Sequence, residues 1–195
     1  MEKDRLTAFS DGVIAVIITI MVLNLQIPHT TDWSSLQEVI PGFLSYVLSF
    51  IYIAIYWNNH HHLLQTVHRV NGTLLWANMH LLFWLSLVPW ATAWAQAGHI
   101  ATAPTAFFGI VLFLSAMAYF ILQKIIICSQ GHESILQKAL GSDIKGKASL
   151  LLYAIAVLLA FKTPDLSYWI YALVAALWLV PDQRIERTIT GQTLH

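Results

Sequence analysis

Arg5-Leu-Thr-Ala-Phe-Ser-Asp11-Gly-Val-Ile-Ala-Val-Ile-Ile-Thr19-Ile-Met-Val-Leu23-Asn-Leu-Gln-Ile-Pro28 is the stretch that decides how this chain is read. About 20 apolar residues, each rising about 1.5 Å along a helix, cover the roughly 30 Å of hydrocarbon in a bilayer. The stretch is long enough to span. It also carries an acid, Asp11, in its first turns. An ionisable group inside a span is costly and marks a site whose partner has to be found. The length of the run, the early Asp11 and the lack of a small-residue cleavage site argue against a signal peptide.

At about 100° per residue, Gly12, Val16, Thr19, Ile20 and Leu23 fall on one narrow stripe of this helix. Ser10 and Asp11 lie about 120° and about 140° away from Val16, towards the opposite side. An apolar stripe with one hydroxyl therefore points one way, and a Ser-Asp pair points into neighbouring helices. The plainer alternatives are ordinary helix packing for the stripe and a bond from Thr19 to the carbonyl of Ala15, four residues back. For Asp11, two readings stand side by side. One is an acid near water favoured by the helix dipole. The other is a buried carboxylate held by donors from neighbouring helices.

Working outward, the composition is that of an integral membrane protein with short loops. Of 195 residues, 57% are apolar and 10% charged, against about 25% charged in a typical soluble domain. Formal net charge is zero, so nothing points to nucleic acid. One cysteine, Cys128, leaves no intramolecular disulfide and no zinc or redox motif. Eight Trp and seven Tyr suit two water–lipid interfaces.

Six apolar segments follow one another at residues 5–27, 36–61, 74–95, 105–128, 148–161 and 166–180. The last two are short and separated by Lys162-Thr-Pro164-Asp165; they read as two thin spans or one re-entrant hairpin. Basic residues favour two spans. With six crossings, Lys3, Arg5, Arg69, Lys124, Lys138, Lys145, Lys147, Arg184 and Arg187 all fall on one side and only Lys162 on the other. The positive-inside rule then places both termini in the cytoplasm. Residues 132–141 have helical apolar spacing and read as a short interfacial helix. The whole of residues 1–195 is expected to form a single transmembrane domain.

The run Trp57-Asn-Asn-His60-His61-His62 does not read as a metal site, because consecutive helical residues point about 100° apart. One of these histidines is expected to donate a buried hydrogen bond to Asp11. Asn78 and His80, on the next segment, lie at a similar depth, and His, Asn and the Trp indole can all supply donors. No nucleophile with a base, no phosphate loop and no second carboxylate within a span are found. The pattern excludes an obvious enzyme and weighs against a coupled transporter.

Three blocks then resemble a known family. Arg5-x-x-x-Phe9-Ser10-Asp11 is similar to the signature of the lysosomal-type potassium channels (the transmembrane protein 175 family), in their bacterial single-repeat branch. Ser49-Phe50 through Trp57-x-x-His60-His61 fits the second block, and Leu75-Trp76-x-Asn78 through Leu87-Val88-Pro89 the third. The blocks cover the first half of the chain in the expected order. The resemblance implies an all-α polytopic fold with six transmembrane helices per subunit, in a homotetramer whose pore is lined by helix 1. It implies a constriction at Val16, Thr19 and Leu23 in place of a carbonyl filter. Together with Ile20, these residues lie on the stripe found from helical geometry. It also implies a polar network behind the pore made of Arg5, Ser10, Asp11, Trp57, His60 and Asn78. The expected function is a potassium-permeable channel of moderate selectivity in the inner membrane, with no cofactor and with itself and the bilayer as partners. The rival is a proton-coupled or small-molecule transporter.

Overall fold

In the computed structural model, which describes residues 2–97, 100–130, 136 and 143–179, the first apolar stretch forms α1, Lys3–Leu23. Its 21 residues measure about 31 Å. The helix stops where the Asn24 amide turns back to the carbonyls of Met21 and Val22, four residues before Pro28. Leu6, Ser10, Ile14, Ile17 and Met21 are buried, spaced by three or four residues as one helical face requires.

A single 3-10 turn, Trp33–Ser35, leads into α2, Leu36–Gln65. With 30 residues, α2 runs about 45 Å and outlasts the hydrocarbon layer. The third apolar segment divides into α3, Gly72–Ser86, and α4, Val88–Ala97. The Asn71 side chain caps α3 by accepting from the Leu74 amide at 2.8 Å. Pro89 causes the division. It has no N–H to offer the Leu85 carbonyl, and its ring crowds that same carbonyl. The Leu87 amide instead turns to Trp84, and the ladder resumes with Ala91 bonding to Leu87. The apolar segment read over residues 74–95 is one 26-residue span, Gly72–Ala97, built from these two helices.

Next come α5, Thr102–Gln130, then α6, Ile144–Ala160, and α7, Pro164–Leu179. Helix α6 begins earlier than its apolar run suggests, because Asp143 in a left-handed conformation (φ 43°) caps it through the Gly146 amide. Pro164 opens α7, where a missing N–H costs nothing. Helices α6 and α7 form an antiparallel hairpin. Trp178 near the end of α7 donates to Ser149 near the start of α6, and the Ser167 hydroxyl donates to the Ala156 carbonyl.

Helix α1 packs on α2, α3 and α4. Helix α5 lies against α3 and α4 on one side and against α6 and α7 on the other, and α2 also meets α4 and α7. The hairpin runs beside α5 from the level of Gln123, which shares a cavity with Trp178, to that of Thr105, whose carbonyl accepts from the Tyr171 hydroxyl. That stretch of α5 is about 27 Å long, close to a membrane's hydrocarbon thickness. Tyr52, Phe108, Tyr153 and Tyr171 form an aromatic core between α2, α5, α6 and α7. Gly109 lets this core close: a Cβ there would lie 1.9 Å from the Tyr171 hydroxyl.

Among the described residues four helical stretches are long and apolar enough to cross a membrane: Lys3–Leu23, Trp33–Gln65, Gly72–Ala97 and Thr102–Ser129. Large apolar side chains such as Leu151, Leu158, Trp169 and Leu173 are exposed on the hairpin. Lipid is the natural environment for such a surface; water is not. The chain is an all-α, multi-pass membrane protein. Lys3 donates to the Gln65 carbonyl at 3.5 Å, so the start of α1 and the end of α2 share one end of the bundle. Lys145 and Lys147 lie at the same end, at the start of α6, and Lys162 lies at the other, in the hairpin turn. The expected interfacial helix over residues 132–141, and Lys138, Arg184 and Arg187, lie outside the described residues.

Candidate functional site

Helix α1 has two contrasting faces. Ile14 is 1% exposed against the bundle, while Val16 is 55% and Leu23 80% exposed. Gly12, Thr19 and Ile20 share the exposed side. The Thr19 hydroxyl donates to the carbonyl of Val16 at 2.9 Å; the expected bond to Ala15 is replaced by one three residues back. Beside this face an open groove of about 780 Å³ lies between α1 and α4. Phe9, Val16 and Ile20 line one wall, and Pro89, Trp90 and Ala93 the other.

The inward side of α1 carries a polar chain. Ser10, fully buried, donates its hydroxyl hydrogen to the Leu6 carbonyl at 2.9 Å. The same oxygen accepts from the Asn78 amide nitrogen at 2.9 Å. The Asn78 carbonyl oxygen then meets His60 Nε2 at 2.7 Å. An amide oxygen can only accept, so His60 carries its proton on Nε2. All three side chains have no exposed surface. Helices α1, α2 and α3 are thus joined by one chain of hydrogen bonds, which sets their depth and rotation. In a low-dielectric interior such a chain is strong when complete and costly when broken.

Asp11 takes a different partner from the one expected. It is half-buried on the flank of α1, and the Trp57 indole donates to its Oδ1 at 3.0 Å. His60 turns to Asn78 instead. The physical reason is position on α2. Trp57 sits 44% exposed near the rim of the α1–α2 contact, within reach of the flank, whereas His60 points into the core. Arg5 is exposed on α1 and makes no ion pair among the described residues. His61 stacks on Trp57, centroids 6.0 Å apart, and pairs with Gln65 at 2.9 Å. Among the described residues no three His, Cys, Asp or Glu side chains are placed to share an ion.

The site contains two features that sequence reasoning missed. Ser49 and Thr92 pair at 2.7 Å and fasten α2 to α4. Trp90, on the groove, stacks with Trp94 and meets Phe107 edge-on. The signal for Trp90 was present in Pro89-Trp90: a proline within an apolar run re-aims whatever follows it.

The family profile described as the endosomal/lysosomal potassium channel TMEM175 matches residues 5–89, which take in α1 from its third residue together with Trp57, His60 and Asn78. A protein from Chryseobacterium sp. (strain P1-3), named a potassium channel, is 52% identical over 189 residues, covering 97% of this chain and 98% of that one. A potassium channel from Streptomyces collinus is 34% identical over 129 residues, 60% of this chain and 61% of that protein. The fold superposes on the crystal structure of a lysosomal potassium-selective channel TMEM175 homolog from Chamaesiphon minutus. The TM-score is 0.81 at 26% identity, over 93% of this chain and 98% of that one. By near-full-length identity to a bacterial relative, by the matched profile and by the shared fold, this chain belongs to the TMEM175 family.

Proposed function

We propose that the chain is a potassium-permeable cation channel, assembled as a homotetramer around α1 in the cell membrane with both termini in the cytoplasm. The observation that carries this is the two-sidedness of α1. One side is locked into the bundle by the Ser10–Asn78–His60 chain, and the other, with Gly12, Val16, Thr19, Ile20 and Leu23, is left uncovered beside an open groove. One helix cannot enclose a path, and closed rotational symmetry is the usual solution for a homo-oligomer. The relatives' names supply the ion.

Val16 and Leu23 then become apolar rings. A narrow ring of methyl groups offers water no hydrogen bonds and gates by dewetting. Thr19 lies between them and supplies one ring of hydroxyls. Potassium sheds its hydration more easily than sodium, which gives moderate selectivity without a carbonyl filter. Permeant potassium is then the ion that this path carries, and no catalytic group or cofactor is assigned to it. Asp11 and Trp57 act behind the wall, fixing the flank of α1 on α2.

Proteoliposomes with opposed potassium and sodium gradients test the reading. Passive cation flux with a preference for potassium is the expected result; uptake driven only by a proton gradient, or no flux, overturns it. Uptake driven by a proton gradient belongs to the rival, a proton-coupled transporter. It draws on His60, which is fully buried with an Nδ1 that has no partner among the described residues.

A further inference from the structure

A second cavity lies away from α1, between α2, α5, α6 and α7. Its volume is about 60 Å³. One water needs roughly 10–15 Å³ on this measure, and an apolar cavity of about 150 Å³ takes benzene. The space therefore suits a few heavy atoms and no more.

It lies towards the end of the bundle where α6 begins and α7 finishes. The Gln123 side chain lines the cavity, is 4% exposed, and has no hydrogen-bond partner among the described residues. A buried primary amide normally finds partners, because leaving it bare costs about 1–3 kcal/mol. The Gln123 amide is not among the side-chain atoms sealed from both solvent and partners, so it opens onto the cavity, and whatever fills that space supplies its bonds. Ser149 adds a buried hydroxyl, and Asp143 adds a half-buried carboxylate. Asp143 Oδ1 accepts from the Gly146 amide at 3.1 Å, which leaves the second oxygen's lone pairs for a ligand. The walls are largely aromatic, with Tyr56, Tyr119 and Trp178 among them.

A carboxylate, an amide oxygen and aromatic rings around a small space define a cation site of a particular kind. A metal ion asks for many oxygen ligands, which aromatic walls do not provide. A small organic cation is weakly hydrated and is attracted to ring faces as well as to the carboxylate. Trp178 already accepts a cation: Lys145, which does not line the cavity, places its ammonium 4.4 Å from the ring centroid. We propose that this cavity binds a small organic cation of the alkylammonium or guanidinium class, held by Asp143 and Gln123 and separate from the path along α1.

Equilibrium binding of radiolabelled methylammonium to the purified full-length protein in neutral detergent is the test. Saturable binding is expected, with methanol, its neutral counterpart, failing to compete. Asp143→Asn removes the charge but keeps the cap, since Asn both caps helices and tolerates the left-handed conformation. This change should weaken binding at least about tenfold, on the order of one charge interaction. Ala116→Leu, which fills the cavity from α5, should abolish binding while the protein elutes as the wild type does. No saturable binding to the wild type means that the cavity holds only water and overturns the proposal. Binding that survives both substitutions places the cation elsewhere, in the pore above all, and overturns it equally.

Discussion

Asn78 is the residue on which three helices depend. Its amide nitrogen serves Ser10 and its oxygen serves His60. Asn78→Ala removes both bonds and leaves His60 Nε2 bare in a buried site. A loss of about 2–5 kcal/mol of stability is expected from the unpaired polar groups and the space left behind, and thermal unfolding in detergent measures it. The exposed side of α1 calls for different substitutions. In the proposed tetramer, Val16→Asn places amides in an apolar ring, where they can hold water and replace part of a cation's hydration shell. Conductance should rise and potassium-over-sodium discrimination should fall in reconstituted flux. Thr19→Val should lower conductance by removing the hydroxyl ring. Ile14→Asn is the control on the buried side: at 1% exposure it buries an amide without partners, costing roughly 1–3 kcal/mol, and should impair folding and leave the selectivity of whatever assembles unchanged. If Val16→Asn assembles normally and conducts and selects like the wild type, then the ions do not pass along α1.

At the scale of elements, Gly109 of α5 leaves no room for a side chain beside α6 and α7. Gly109→Ala sets a Cβ 1.9 Å from the Tyr171 hydroxyl and 2.8 Å from Val157. Tyr171 is held at both ends, since its hydroxyl donates to Thr105 and its carbonyl accepts from Tyr52, so it cannot swing aside. The helices must part, and the variant should lose about 1–3 kcal/mol by overpacking, read as a lower midpoint of thermal unfolding. Gly12→Ala is the informative contrast. No side chain of its own subunit lies within 4 Å of that Cβ, so any loss of assembly reports contacts between subunits. The apolar runs made these helices legible to within a few residues, because hydrophobic length is a property of sequence alone. The start of α6 was hidden because Lys145 and Lys147 precede its apolar run, and an Asp143 cap outweighs their polarity. The two faces of α1 were legible from periodicity. The choice of Trp57 over His60 for Asp11 was not, since it depends on how α2 is rotated about its axis, and packing with α4 and α7 sets that rotation.

For the whole molecule, the prediction is four copies. Mass measurement in detergent and in lipid should give a tetramer; a monomer or a two-fold dimer in both removes the pore. Asp11→Asn keeps the shape of the Trp57 contact but weakens a charge-assisted hydrogen bond. It is expected to lower tetramer yield or open probability while leaving the potassium-to-sodium ratio alone. A large change in that ratio would place Asp11 in contact with the ions. The Ser10 hydroxyl bears on how such an assembly can be made. Its hydrogen is already given to its own helix, at Leu6, so α1 can enter the hydrocarbon with that donor accounted for. Asn78 has no such refuge in the finished fold, since its bonds go to Ser10 and His60. During biosynthesis the third span therefore leaves the insertion machinery with an unmet demand that the first two, made before it, are able to answer. Order of synthesis becomes order of assembly within the subunit, whose first three spans are fastened by bonds from its own chain alone.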